Sequence, residues 1–131
     1  MNFIFLAIKE HPWGREMLSQ LLAAEFKPSL IIEEFSEGGE IEREKFEFRM
    51  GTHPLASTME SQTVEHDIPI VEVPIHNDEH CMEHIEKAVP ELIVFGGTRI
   101  IRGKILEYGE KQGGVLNSHP GLLPECRGSA S

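Results

Sequence analysis

The alternation of short apolar runs with amphipathic stretches limits this chain to few architectures. Phe3-Ile4-Phe5-Leu6-Ala7-Ile8 is apolar at every position, so an extended segment there must be covered on both faces, as in a central parallel strand. Residues 13 to 26 then place Met17, Leu18, Leu21 and Leu22 on one helical stripe, with Pro28 expected to stop the helix. Leu30-Ile31-Ile32 reads as a second strand. Ile68-Pro69-Ile70-Val71-Glu72-Val73-Pro74 reads as a third, and its prolines, which donate no ladder hydrogen bond, favour an edge position.

Asn77 or Asp78 can cap the next helix, whose apolar face is Cys81, Met82, Ile85, Ala88 and Val89 and which Pro90 closes. Glu91-Leu92-Ile93-Val94-Phe95 runs as a strand into Gly96-Gly97, where an α/β sheet offers its carboxyl edge to a ligand. Arg99 to Tyr108 predicts a helix, and Val115-Leu116-Asn117 a short strand before a Pro- and Gly-rich segment. Residues 37 to 60 are highly charged and weakly periodic, which predicts a mobile excursion with one short helix. Strands alternating with helices imply an α/β fold with an open, mainly parallel sheet and helices on both faces.

Composition narrows the function classes. With 131 residues, 40% apolar and 26% charged, the chain matches an ordinary globular domain. Its formal net charge of −10 opposes non-specific association with phosphate backbones. The longest apolar runs fall far short of the roughly 20 residues that a membrane helix needs. The start has no basic region of the signal-peptide kind, and two cysteines provide no disulfide framework, so a cytoplasmic location is expected.

In extended backbone, side chains two apart point the same way, so Asn117 and His119 share one side of a strand end. A carboxamide donor beside an imidazole suits acyl transfer, where an oxyanion must be stabilised and protons moved near neutral pH. The whole run Asn117-Ser118-His119-Pro120-Gly121-Leu122-Leu123-Pro124, with Arg127-Gly128 after it, resembles the signature of the folate-dependent formyltransferases. That family includes methionyl-tRNA, glycinamide ribonucleotide and sugar N-formyltransferases. Phe95-Gly96-Gly97-Thr98-Arg99-Ile100-Ile101 is similar to the family's loop after the fourth strand, which holds the pterin of 10-formyltetrahydrofolate.

The resemblance covers essentially the whole chain and implies a Rossmann-like formyltransferase N-terminal domain over residues 1–131. It implies catalytic roles for Asn117 and His119, and donor binding by Phe95, Gly96, Gly97, Thr98, Arg99, Ile100 and Ile101. No metal is implied. The expected reaction is transfer of a formyl group from 10-formyltetrahydrofolate to an amine, a small molecule or amino sugar being favoured over tRNA by the acidic charge. The family also uses an aspartate roughly three dozen residues beyond the histidine as an orienting and proton-managing group. The sequence stops at Ser131 first, so the domain is expected to be incomplete at its C-terminal end and inadequate for catalysis alone. Gly121 stands where many members carry serine. A formyl-folate hydrolase, and a non-catalytic folate- or nucleotide-binding module, are the competing readings, and nothing in the sequence fixes the oligomeric state.

Other features read more plainly. His76, His80 and His84 are spaced four apart like a zinc site, but Glu79, Glu83 and Lys87 lie nearby, which favours a solvated face over a metal. His11-Pro12-Trp13-Gly14-Arg15 follows the first strand, where related enzymes bind the acceptor or its phosphate. It lacks the glycine-serine-asparagine loop of the glycinamide ribonucleotide enzymes, and Arg15 reads as an exposed loop arginine. Cys126 reads as a bystander thiol.

Overall fold

The computed structural model describes residues 1–118. Five strands form one parallel sheet: β1 (Phe3–Ile8), β2 (Leu30–Glu34), β3 (Ile70–Val73), β4 (Leu92–Phe95) and β5 (Val115–Asn117), in the order β3-β2-β1-β4-β5. β1 is central and buried at all six positions, and β3 takes the edge that its prolines favour. Alternation along β1 divides the core in two. Ile4 and Leu6 pack with Ile32, Ile93, Cys81 and Ile85 on one face, whereas Phe3, Phe5 and Ala7 pack with Ile31, Leu18 and Met59 on the other. The open parallel sheet with helices on both faces is thus the fold the βα alternation implies.

Helix α1 (Pro12–Ala23) presents the expected stripe, with Leu18 fully buried and Met17, Leu21 and Leu22 packed against the same core. It ends well before Pro28. The Ala24 N–H returns to Gln20 and Leu21, and Glu25 turns left-handed at φ 67°, so backbone closure terminates the helix. Helix α4 (Glu79–Ala88), capped by Asp78 Oδ1 on the Cys81 N–H at 3.0 Å, buries Cys81 and Ile85 as expected.

Three segments depart from the sequence reading. Residues 37 to 60 hold a full helix, α2 (Glu37–Met50), and the start of another, α3 (Met59–His66). Only Gly39 of α2 is buried, which is why its periodicity is weak; its ends and charges hold it instead. Ser36 Oγ accepts the Gly39 N–H at 2.9 Å, Glu37 and Glu40 occupy the positive end of the helix dipole, and Arg43 faces Glu40 and Glu47 one turn away. α3 is capped by Thr58 Oγ1 on the Ser61 N–H at 3.1 Å and by the Glu10 carboxylate, which accepts from Met59 N and Glu60 N at 2.7 and 3.1 Å. Half of that cap comes from a residue about fifty positions away, beyond the reach of local pattern.

The third departure is α5, which spans Lys104–Lys111 rather than 99 to 108. Gly103 stands at φ 72°, and the Asn77 side chain engages the Ile100 carbonyl and the Arg102 N–H, so residues 99 to 103 are held out of the helix. Among the described residues no helix is long and apolar enough to cross a membrane.

Replacing Thr58 by alanine removes the local half of the α3 cap and should cost about 1 kcal/mol in urea denaturation. An unchanged midpoint would show that Glu10 alone holds this helix start.

Candidate functional site

Strand order places the reversal of winding between β1 and β4, and ligands of open α/β sheets bind outside the carboxyl ends of strands at such a point. The turn after β4 closes directly on β1 here. Gly96 N–H donates to Leu6 O and Ile8 N–H to Gly97 O, both at 2.8 Å. A Cβ on Gly96 would stand 2.1 Å from the Phe5 ring, and one on Gly97, at φ 81°, would stand 2.7 Å from His11 Nδ1. Gly14 of α1 meets the Gly96 carbonyl just as closely, a Cβ there falling 2.6 Å from its oxygen. Backbone without side chains therefore forms the junction of β1, β4 and α1.

Asn117 lies beside this junction. Register pairs it with Phe95, the Ser118 N–H reaches Phe95 O at 3.4 Å, and its side chain is exposed at the carboxyl end of β5. Asn117 and the Phe95-Gly96-Gly97 turn thus stand at neighbouring strand ends. His119 lies outside the described residues, as do Pro120 to Arg127 and Cys126 within them. Of the expected donor-binding residues, Phe95 and Gly96 are buried, Gly97 and Thr98 half-buried, Arg99 and Ile100 exposed, and Ile101 is in the core. A cleft of about 560 Å³ flanks the far end of this segment, lined by Asn77, Asp78, Met82, Arg102, Lys104 and Ile105. Its size falls in the range of small-molecule sites.

Buried ionisable groups at the same sheet edge escaped the sequence reading. His11 is 2% exposed, accepts the Trp13 N–H on Nδ1 at 3.1 Å as the N-cap of α1, and stacks at a tilt on Phe46. Burial, aided by the Arg43 guanidinium, pushes it down to about 4, so the ring is neutral at physiological pH. Glu33, 4% exposed, accepts the Glu10 N–H at 3.1 Å; burial pushes its carboxyl up to about 7 against that bond.

Glu34, 2% exposed, accepts the His76 backbone N–H on Oε1 at 2.8 Å and the Ser36 hydroxyl on Oε2 at 2.5 Å. His76 is fully buried, which corrects the solvated reading of that histidine: it precedes α4 and points under the sheet edge. Its Nε2 donates to Ile32 O at 2.9 Å, leaving Nδ1 without a hydrogen bond, 3.6 Å from Glu34 Oε1. Burial lowers its pKa, outweighing the Ile32 carbonyl and the Glu34 carboxylate, which favour the proton. The signal for this cluster was Glu33-Glu34 ending an apolar strand, two carboxylates where core residues would otherwise continue.

Arg15 is not the exposed loop residue the sequence suggested: it lies in α1 and is half-buried. Its guanidinium donates to the Ala56 and Ser57 carbonyls and braces the approach to α3. Among the described residues no group of three or more His, Cys, Asp or Glu side chains could hold a metal ion.

No protein-family model matches the sequence, and no curated protein does. Solved structures do match. The phosphoribosylglycinamide formyltransferase of Streptococcus pneumoniae TIGR4 superposes with a TM-score of 0.60 at 18% identity over 98% of this chain. That of Bacillus halodurans gives 0.59 at 17% over 95%, and that of Coxiella burnetii, solved in complex with CHES, 0.59 at 16% over 97%. This chain spans 61%, 58% and 55% of those three chains. Its fold is that of these formyltransferases, as the resemblance implied.

The buried carboxyl and imidazole generate a pH prediction. Folded Glu33 binds its proton up to about 7, against 4.5 for the unperturbed group, so its contribution to stability is intact below about pH 4.5 and lost as pH rises through about 7. His11 runs the other way: its contribution is intact above 6.5 and lost as pH falls through about 4. Glu33→Gln should therefore match the parent near pH 4.5 and exceed it by on the order of 3 kcal/mol at pH 8. A stability difference that does not change between those two pH values would contradict the assignment.

Proposed function

We propose that this chain is the donor-binding part of an enzyme that transfers a formyl group from 10-formyltetrahydrofolate to an amine. The observation that carries the reading is the placement of Asn117 beside Phe95 and the Gly96-Gly97 turn, at the strand ends where the sheet reverses its winding. In this reading the pterin is held against residues 95 to 101, of which Gly97 and Thr98 are half-buried and Arg99 and Ile100 exposed at the strand ends. The acceptor amine attacks the formyl carbon, and the Asn117 carboxamide donates to the oxyanion that forms. His119 stabilises that intermediate or protonates the departing folate nitrogen.

The acceptor is taken to be a small molecule or an amino sugar. The net charge of −10 supports that choice over tRNA, because polyphosphate would be repelled. The absence of a glycine-serine-asparagine loop after β1 supports an acceptor other than glycinamide ribonucleotide, although the matching structures are enzymes of that name. Further residues of the complete enzyme, an orienting carboxylate for His119 among them, belong to the part of the formyltransferase fold that this chain does not span.

Calorimetry of the 131-residue chain with 5-formyltetrahydrofolate should give saturable one-to-one binding, and an absence of heat would contradict the reading. In the complete enzyme, turnover of 10-formyltetrahydrofolate with a panel of amines should fall about a hundredfold or more in Asn117→Ala, and unchanged turnover would remove Asn117 from the mechanism. Formylated amine among the products marks a transferase, and free formate alone marks the hydrolytic reaction. Binding with no turnover in the complete enzyme marks a binding module.

A further inference from the structure

Residues 96 to 103, which include most of the 95-to-101 segment assigned above to the formyl donor, form no regular element, yet they are tied down along their length. Gly97 is fixed to β1 through Ile8 N. The Arg99 guanidinium lies 3.9 Å from Glu34 Oε2 and against Gly38 of α2, where a Cβ would stand 2.7 Å from its central carbon. Asn77 then spans Ile101 from outside, its amide donating to the Ile100 carbonyl at 2.8 Å and its oxygen accepting the Arg102 N–H at 3.1 Å. Ile101 itself is driven into the core.

Both outer ties lead back to one group. Glu34 Oε2 faces Arg99 and accepts from Ser36, while Glu34 Oε1 accepts the backbone N–H of His76, the residue next to Asn77. Glu34 is 2% exposed, so its oxygens have no solvent to fall back on, although the Arg99 side chain that faces it is itself exposed. One carboxylate thus touches the Arg99 guanidinium, the Ser36 cap of α2 and the backbone at the base of the Asn77 clamp.

We infer that Glu34 and Asn77 are positioning residues that hold the segment from Thr98 to Gly103 in one conformation before the donor arrives. The role rests on the donor-binding reading of the preceding subsection. It lowers the ordering cost of binding, because a loop already fixed pays less conformational entropy on contact with its ligand. Neither residue is placed against the reacting atoms, so both act on donor affinity and leave the chemical step to Asn117 and His119.

The test uses Asn77→Ala, an exposed substitution that leaves the core intact, and Glu34→Gln, which keeps shape and removes charge. Amide hydrogen exchange of the free chain reports the loop without any ligand, and calorimetry with 5-formyltetrahydrofolate reports the donor. In Asn77→Ala the Arg102 amide should exchange at least about tenfold faster, and folate affinity should fall roughly tenfold, as loss of one or two hydrogen bonds predicts. Glu34→Gln should quicken exchange from Thr98 to Gly103 and weaken binding at least as much. Unchanged exchange in Asn77→Ala overturns the clamp whatever becomes of the Glu34 variant. Faster exchange with unchanged affinity overturns the positioning role. A parent chain that binds no folate sinks the donor reading, and the positioning role with it, while the exchange data show separately whether the clamp exists.

Discussion

The structure depends on a place where side chains are missing. β1 and β4 can be neighbours, with α1 laid across their ends, only because Gly96 yields to the Phe5 ring, Gly97 to His11, and Gly14 to the Gly96 carbonyl. Each glycine costs conformational entropy on folding, and each is repaid by closer contact than any side chain would allow. Phe5 fills the space above Gly96 and belongs to the α1 and α3 core, so the same contact joins the sheet junction to one of the two hydrophobic layers. A larger residue at this turn would force β4 away from β1, and β5, which among the described residues pairs only with β4, would follow. Asn117 is therefore located by glycines twenty residues before it.

Around that junction the sheet edge is unusually polar for its burial. Glu33 and Glu34 end β2 on opposite faces, each below 5% exposure, and His11 and His76 are buried nearby. Burying charge without partners is costly, and three of the four groups escape the cost in different ways. His11 stays neutral and serves as a helix cap. Glu33 retains its proton to about pH 7, and Glu34 collects backbone and hydroxyl donors from the ends of two neighbouring elements. Apolar residues at the same positions would be simpler to bury.

Elements whose signal is burial were legible in the sequence. β1 declared its central position by six apolar residues in succession, β3 its edge by its prolines, and α1 and α4 their inner faces by their stripes. Asn117 and the Gly96-Gly97 turn were legible as motifs, and register joins them. What escaped was held by polar contacts at a distance. α3 needs the Glu10 carboxylate, α2 stands on a cap and on charge pairs instead of a buried face, and the start of α5 is postponed by Asn77. None of these leaves a periodic trace. His76 misled for the same reason: its spacing from His80 and His84 is helical, but it lies before the helix, buried beneath Glu34.

The central claim is that the side-chain-free junction of β1 and β4 is also the mouth that receives the formyl donor. Backbone amide resonances followed while 5-formyltetrahydrofolate is added would test it most directly. The account predicts the largest shifts at Gly96, Gly97 and Asn117, fading along β4 toward Leu92. Shifts concentrated on α2 and α3, with those three amides unmoved, would contradict it.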